Sequence, residues 1–259
     1  MLTYDALPDE RQKYIREMLI QMGRVLAIDL SAKFDVSIHT IRRDLVDLAE
    51  AGVCKRVYGG AIALASDGGS LHKRAGQQSE RKDALARAAV KLLSSGQCIF
   101  IDAGSTNLAI AKAIGTGTRL TIVTNSPTVA DTLLDNDSVD IIVLGGQIDQ
   151  EVGGTVGTSA VEAVQRLSFD LAFLGTCAID HAEGLTVFNH EDAYFKRAVI
   201  SRSDAVTMVV LNEKIASVAR HKVAALDAVS SIVVESDAPR ARLASFEDSG
   251  IEVIISEKN

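Results

Sequence analysis

The sequence predicts an α/β chain in two unequal parts: a small helical module closed by a hairpin, and a larger domain of helices laid over a mainly parallel sheet. Two patterns predict it. Up to about residue 64, three stretches with helical spacing run into two short apolar runs around Gly59-Gly60. Beyond about residue 80, helical stretches alternate with short runs that are apolar at nearly every position. A 3.6-residue period marks helix faces, whereas uninterrupted apolar runs mark strands covered on both sides.

In the first part, Ile15, Met18, Leu19 and Met22 lie on one face of a helix over Pro8–Met22, with Gly23 as its stop. A second helix is expected over Ala27–Phe34. Ser37 then caps a third, running to about Glu50, because its hydroxyl can accept from the free N–H groups of the next turn. Ile38, Ile41, Leu45 and Leu48 fall within about 80° on that helix and form its buried stripe. Gly52 ends it, and residues 53–64 read as two short strands joined by a tight turn at Gly59-Gly60. Residues 65–79 are small and polar, as in an interdomain linker. The larger domain is expected over residues 80–259, with helices near 80–93, 107–114, 127–134, 159–167 and 191–201. Its strands are expected at 98–101, 120–123, 139–144, 171–174, 206–211, 232–234 and 253–255.

The chain has 259 residues, is 47% hydrophobic and carries a net charge of −7. Nine Lys/Arg and nine Asp/Glu precede residue 66, so the acidity belongs to the larger domain. A neutral module that binds nucleic acid must do so with locally placed cations. No run approaches the ~20 apolar residues of a membrane span, and residues 1–9 lack the features of a secretory signal, so a cytoplasmic location without a membrane partner is expected. Cys54, Cys98 and Cys177 are far apart and odd in number, which points to core packing rather than to disulfides or zinc. No metal or other cofactor is expected.

On the third helix the face opposite the apolar stripe carries His39, Arg43 and Asp47, flanked by Thr40 and Arg42. Arginine can bond two acceptors of guanine in the major groove, and residues near the start of a recognition helix reach base edges. Lys55, Arg56 and Tyr58 on the hairpin are placed for the DNA backbone or minor groove. With Ser37 these are the candidate DNA-contacting residues. The competing reading is a solvated face on which the arginines pair with Asp44 and Asp47.

The string Ser37-Ile-His-Thr-Ile-Arg-Arg-Asp-Leu45, with Tyr58-Gly-Gly-Ala61, resembles the DNA-binding domain of DeoR-type bacterial repressors. The resemblance implies a winged helix-turn-helix in residues 1–64, its helix-turn-helix proper at about 25–44, and double-stranded operator DNA as partner. Paired modules reading two half-sites gain affinity by linkage, so a homo-oligomer, dimer or tetramer, is expected.

In the larger domain, Asp102-Ala-Gly-Ser-Thr-Asn107 lies where a strand gives way to a helix. Consecutive N–H groups there, the approach permitted by Gly104, and the hydroxyls of Ser105 and Thr106 suit an anion such as phosphate. Thr124-Asn125 and Gly145-Gly146 follow other apolar runs, and ligands of open α/β sheets collect at such strand ends. Lys196 and Lys214 are candidate cations. Residues 80–255 also resemble the DeoR C-terminal domain, similar in fold to ribose-5-phosphate isomerase and glucosamine-6-phosphate deaminase. This implies that Asp102, Gly104, Ser105, Thr106, Thr124, Asn125, Lys196 and Lys214 face a phosphorylated sugar effector. Leu211 stands where the family usually has an acid, and Ala178 where it has glycine.

The alternative is a phosphosugar isomerase or deaminase with an accessory DNA-binding domain, using Asp102, Asp180 or Glu191 as base. The Asp-Gly-Ala-Asp string of ribose-5-phosphate isomerases is absent, as are a P-loop and a His-Glu-x-x-His helix. The expectation is therefore a non-enzymatic repressor of a carbohydrate-metabolism operon, relieved by a phosphorylated sugar or sugar alcohol.

Overall fold

A computed structural model describes residues 8–258. Helix α1 (Pro8–Met22) turns Ile15 and Leu19 inward and stops at Gly23, whose φ of 74° leads directly into β1 (Arg24–Leu26). Helix α2 (Ala27–Phe34) ends on Asp35 in the left-handed region, and α3 (Ile38–Glu50) starts on Ser37, whose hydroxyl accepts from the Thr40 N–H at 3.1 Å. Strands β2 (Cys54–Val57) and β3 (Gly60–Leu64) form the hairpin, and β1 completes an antiparallel sheet on β3. A Cβ at Gly60 would lie 2.0 Å from the Val25 carbonyl oxygen, so this crossing requires glycine. Phe34, Ile41, Leu45 and Leu48 fill the core with α1.

The expected stripe on α3 needs one correction. Ile38, in the first turn, is exposed, and at the other edge of the stripe Asp44 is buried beside Leu48. The reason is Arg11 of α1, whose guanidinium grips the Asp44 carboxylate in two hydrogen bonds of 2.6 and 2.9 Å, satisfying both charges inside the module.

The rest of the chain continues with α4 (Leu71–Ala75), α5 (Ser79–Ala89), β4 (Cys98–Ile101), α6 (Ser105–Ala113), β5 (Leu120–Thr124), α7 (Pro127–Leu133) and β6 (Val139–Val143). A hairpin of β7 (Gln147–Asp149) and β8 (Gly154–Val156) precedes α8 (Thr158–Gln165), β9 (Leu171–Leu174), β10 (Ala178–Asp180), β11 (Gly184–Val187) and α9 (His190–Ile200). Then follow β12 (Val206–Val209), β13 (Ser217–Val218), β14 (His221–Ala224), β15 (Ser231–Val234), α10 (Arg240–Glu247) and β16 (Glu252–Ile255). The seven expected apolar runs are the seven strands of one parallel sheet, ordered β16-β15-β12-β9-β4-β5-β6. Alternate residues of the central strands serve opposite cores. Ile99 and Ile101 pack with Leu85, Ile110 and Val129 of α5, α6 and α7, while Phe100 packs with Val164, Phe195 and Phe246 of α8, α9 and α10.

The two parts are joined by more than the connecting chain. Strand β13 pairs in parallel with β3, Ser217 opposite Ala63 and Val218 opposite Leu64. Arg24 meets Asp180 at 3.0 Å, Lys55 meets Glu183 at 2.9 Å, and the Arg242 guanidinium donates to the Ile20 and Gln21 carbonyls that end α1. Residues 65–79, expected as a linker, hold α4 and lie on the larger domain. The Leu71 side chain is buried against Gly153, where no Cβ would fit. Among the described residues no helix is long and apolar enough to cross a membrane.

Candidate functional site

Two surfaces gather the candidate residues. On the first, Ser37, His39, Arg42 and Arg43 of the α3 face are exposed, and Thr40, half-buried, bonds to the Ser37 hydroxyl at 2.9 Å. The competing pairing with Asp44 and Asp47 is not what forms, since Asp44 is held by Arg11 and Asp47 accepts from Gln12 at 3.3 Å. Among the described residues neither Arg42 nor Arg43 makes an ion pair, so both guanidiniums stand in water with their donors available. Tyr58 is fully exposed at the hairpin tip, and Arg56 shares with Arg42 a shallow hollow between α3 and the hairpin. Lys55 is exposed too, but its ammonium is turned back to Glu183.

The second is a cavity of about 350 Å³ at the carboxyl ends of β4, β9 and β12, a size suited to a small metabolite. Gly104, Ser105 and Thr106 line it at the start of α6. No side chain caps that helix, so its first N–H groups and its dipole are left for an anion. Lys196 and Lys214 also line the cavity, but differently from each other. Lys196 is fully enclosed between Asp102 at 2.7 Å and Asp192 at 2.5 Å. Burial disfavours its ammonium, but the two carboxylates outweigh that and hold it charged, while burial pushes the Asp192 carboxyl up to about 6. Lys214 donates to the Thr176 carbonyl at 2.8 Å, and burial pushes it down.

Five of the expected effector residues do not line the cavity. Asp102 lies behind it, accepting from the Gly175 N–H at 2.8 Å as well as from Lys196. Thr124 and Asn125 are fully buried because they brace the loop after β4: the Thr124 hydroxyl donates to the Ile101 carbonyl at 2.6 Å, and Asn125 Oδ1 accepts from the Ala103 N–H at 2.9 Å. Gly145 and Gly146 are exposed and lead into the β7–β8 hairpin. Leu211 does face the cavity and gives it an apolar wall, whereas Ala178 is sealed inside β10.

Sequence reasoning missed Arg74 and Lys82, which line the cavity from the segment read as a linker and from α5, and Asp192. The i,i+4 spacing of Asp192 and Lys196 was a signal for the last. Lys82 is nearly fully buried, its Nζ donating to the carbonyls of Arg74 at 2.5 Å and Gln77 at 2.7 Å. Burial first, and then the nearby charges of Lys214 and Arg74, push it down to about 8. Cys177 packs against the core, as expected, and also lines the cavity, and burial pushes its thiol up. Among the described residues no group of three or more His, Cys, Asp or Glu side chains is placed to hold a metal ion.

The sequence matches two family models, the DeoR-like helix-turn-helix domain over residues 11–67 and the DeoR C terminal sensor domain over residues 77–236. It is 31% identical over 252 residues to the HTH-type transcriptional regulator GolR of Listeria innocua, covering 96% of this chain and 99% of that protein. It is also 31% identical over 245 residues to the glycerol-3-phosphate regulon repressor of Escherichia coli strain K12, covering 94% and 97%. Among solved structures, ribose 5-phosphate isomerase A from Methanocaldococcus jannaschii is similar over 53% of this chain and 55% of its own, with a TM-score of 0.40 and 15% identity. With a helix-turn-helix module matched over residues 11–67 and a sensor domain matched over residues 77–236, the chain belongs to the DeoR family of transcriptional regulators.

Proposed function

We propose that this chain is a cytoplasmic repressor of a carbohydrate-metabolism operon, which binds double-stranded operator DNA through α3 and the β2–β3 wing and releases it when a phosphorylated sugar or sugar alcohol fills the cavity. The observation that carries the effector half is the cavity itself, whose lining divides into an uncapped helix N-terminus with cations and the polar pair of Asp192 and Lys196. An anionic end and a hydroxyl-rich end in one small molecule match that division. A named relative that represses a glycerol-3-phosphate regulon supports the same class of ligand. The DNA half is supported by the unpaired Arg42 and Arg43 on the outer face of α3. A homo-oligomer, dimer or tetramer, supplies the second half-site.

A regulator is favoured over an isomerase because none of Asp102, Asp180 and Glu191, the candidate bases, lines the cavity, and Asp192, which does, is bonded to Lys196. A phosphosugar must bind the released and DNA-bound states unequally to shift their balance. The test is a thermal-shift panel of phosphorylated sugars and sugar alcohols followed by gel shift on the chain's own upstream DNA. A binder at 100 times its dissociation constant adds about 2.7 kcal/mol of stability. A panel that neither raises the melting temperature nor changes the gel-shift midpoint sinks the proposal.

A further inference from the structure

Lys196, expected to give its charge to a phosphate, has that charge matched twice over by Asp102 and Asp192. The other cations that line the cavity are Arg74, Lys82 and Lys214. We infer that Arg74 and Lys82 bind the charged group of the effector together with Lys214, so that the segment between the wing and α5 is part of the binding site. This rests on the cavity being the effector site.

All three cations line the one cavity, and among the described residues none of them has a carboxylate partner. Each is held by main-chain oxygens alone: Lys82 by Arg74 and Gln77, Lys214 by Thr176, and Arg74 by Gly69, Glu151 at 2.9 Å and Val152. Carbonyls orient a cation without neutralising it, and three cations brought together repel unless an anion joins them. Of the acids on the same cavity, Asp192 is buried and already bonded to Lys196, and the other three, Asp67, Glu151 and Glu213, are exposed. Asp67 accepts from the Gly69 N–H, Glu213 is bonded to Arg81 at 3.0 Å, and Glu151 is in water. Exposed carboxylates are screened, so the interior pole stays positive. A dianionic phosphate offers three acceptor oxygens for these donors and for the first N–H groups of α6.

The same arrangement ties occupancy to the wing by two covalent leads. Strand β3 ends at Leu64, the Ala65 N–H bonds to the Val218 carbonyl at 2.9 Å, and the next residues, Ser66 to Gly68, already edge the cavity. From the other side Lys214 is followed after two residues by β13, the parallel neighbour of β3. An anion drawn between Arg74, Lys82 and Lys214 therefore pulls on both strands of that pair.

The test uses the full chain and inorganic phosphate in isothermal titration calorimetry. Lys82→Met and Arg74→Gln are each expected to weaken phosphate binding by about tenfold or more, the effect of losing a charged hydrogen bond. Lys82→Arg should recover part of it, and Lys91→Met, a surface lysine paired with Glu257, should bind as the parent does. Hydrogen exchange across residues 66–82 should slow on phosphate binding in the parent and not in the Arg74→Gln/Lys82→Met double variant. Equal phosphate affinity in the parent and in Arg74→Gln, Lys82→Met and their double overturns the inference while the effector-site reading stands. Absence of binding by phosphate and by every phosphorylated sugar of the panel overturns both.

Discussion

The guanidinium of Arg24 lies 3.0 Å from the Asp180 carboxylate, which joins the sheet of the DNA-binding module to the turn between β10 and β11 of the sensor domain. Asp180 is 1% exposed and also accepts from the Ala182 and Glu183 N–H groups, so it shapes that turn while holding the cation. Arg24→Leu strands a buried carboxylate and is expected to cost about 3 kcal/mol. Asp180→Asn keeps the turn's acceptor and should cost less, and loss of the exposed Lys55–Glu183 pair should cost under about 1 kcal/mol. Urea unfolding of the full chain checks the order; equal stability of Arg24→Leu and the parent would show that the pair does not form.

Arg43→Ala is expected to weaken specific operator binding by about 1 to 3 kcal/mol and to relax preference at one base pair. Arg56→Ala, on the wing, should weaken all sequences alike and lower the salt slope of binding by about one unit. Competition gel shifts at several salt concentrations separate the two. An Arg43→Ala variant with the parent's affinity and preference removes that residue from the reading surface.

The Arg11–Asp44 pair fixes α3 to α1 from the inside. Arg11→Met leaves the buried Asp44 without its ion-pair partner, with an expected loss of about 3 to 5 kcal/mol. Because the recognition helix loses its seat, operator binding should fall with the helical signal of the module. Full operator affinity at undiminished stability in Arg11→Met would contradict this account of why Asp44 is buried.

The helices of the module and the seven sheet strands were legible because each carries its own period: Ile15 and Leu19 on α1, Ile99 to Ile101 in β4. What the sequence hid were features set by tertiary partners. Ile38 fits the α3 stripe by angle yet is exposed in the first turn, and Asp44 can be buried at the stripe's other edge because Arg11 is there to meet it. Strands β10, β11, β13 and β14 are short and mixed in character, and their pairing is fixed by distant neighbours such as β3. At the cavity, Gly104 to Thr106 could be read from the strand-to-helix turn, whereas Lys196 and Lys214 were placed by the family resemblance and not by spacing. Thr124 and Asn125 were expected at the ligand, whereas they brace the loop after β4 that lines the cavity. Arg74 had no local signal, since small polar residues around it give no hint that Leu71 docks on Gly153.

Lys82 gives the cavity a pH signature. Its ammonium is pushed down to about 8 from the usual 10.5, by burial first and then by Lys214 of the β12–β13 connection, Arg74 of α4 and Arg81 of its own helix, with Glu213 opposing. The folded chain therefore releases this proton before the unfolded chain does. Between about pH 8 and 10.5 the unfolded chain holds more protons, so the group's contribution to stability rises with pH. Below pH 8 the buried charge is a cost in both the parent and any variant that keeps it. Lys82→Met is then expected to exceed the parent in stability near neutral pH, with the gap closing toward pH 10.5. A bound anion favours the charged lysine, so phosphate affinity should fall as the pH climbs through 8, and Lys82→Met should lose that fall. Urea midpoints and calorimetric titrations across this range check both halves. A stability gap that does not change with pH would mean that Lys82 titrates as an ordinary lysine, and a phosphate affinity flat through pH 8 would place the anion away from it.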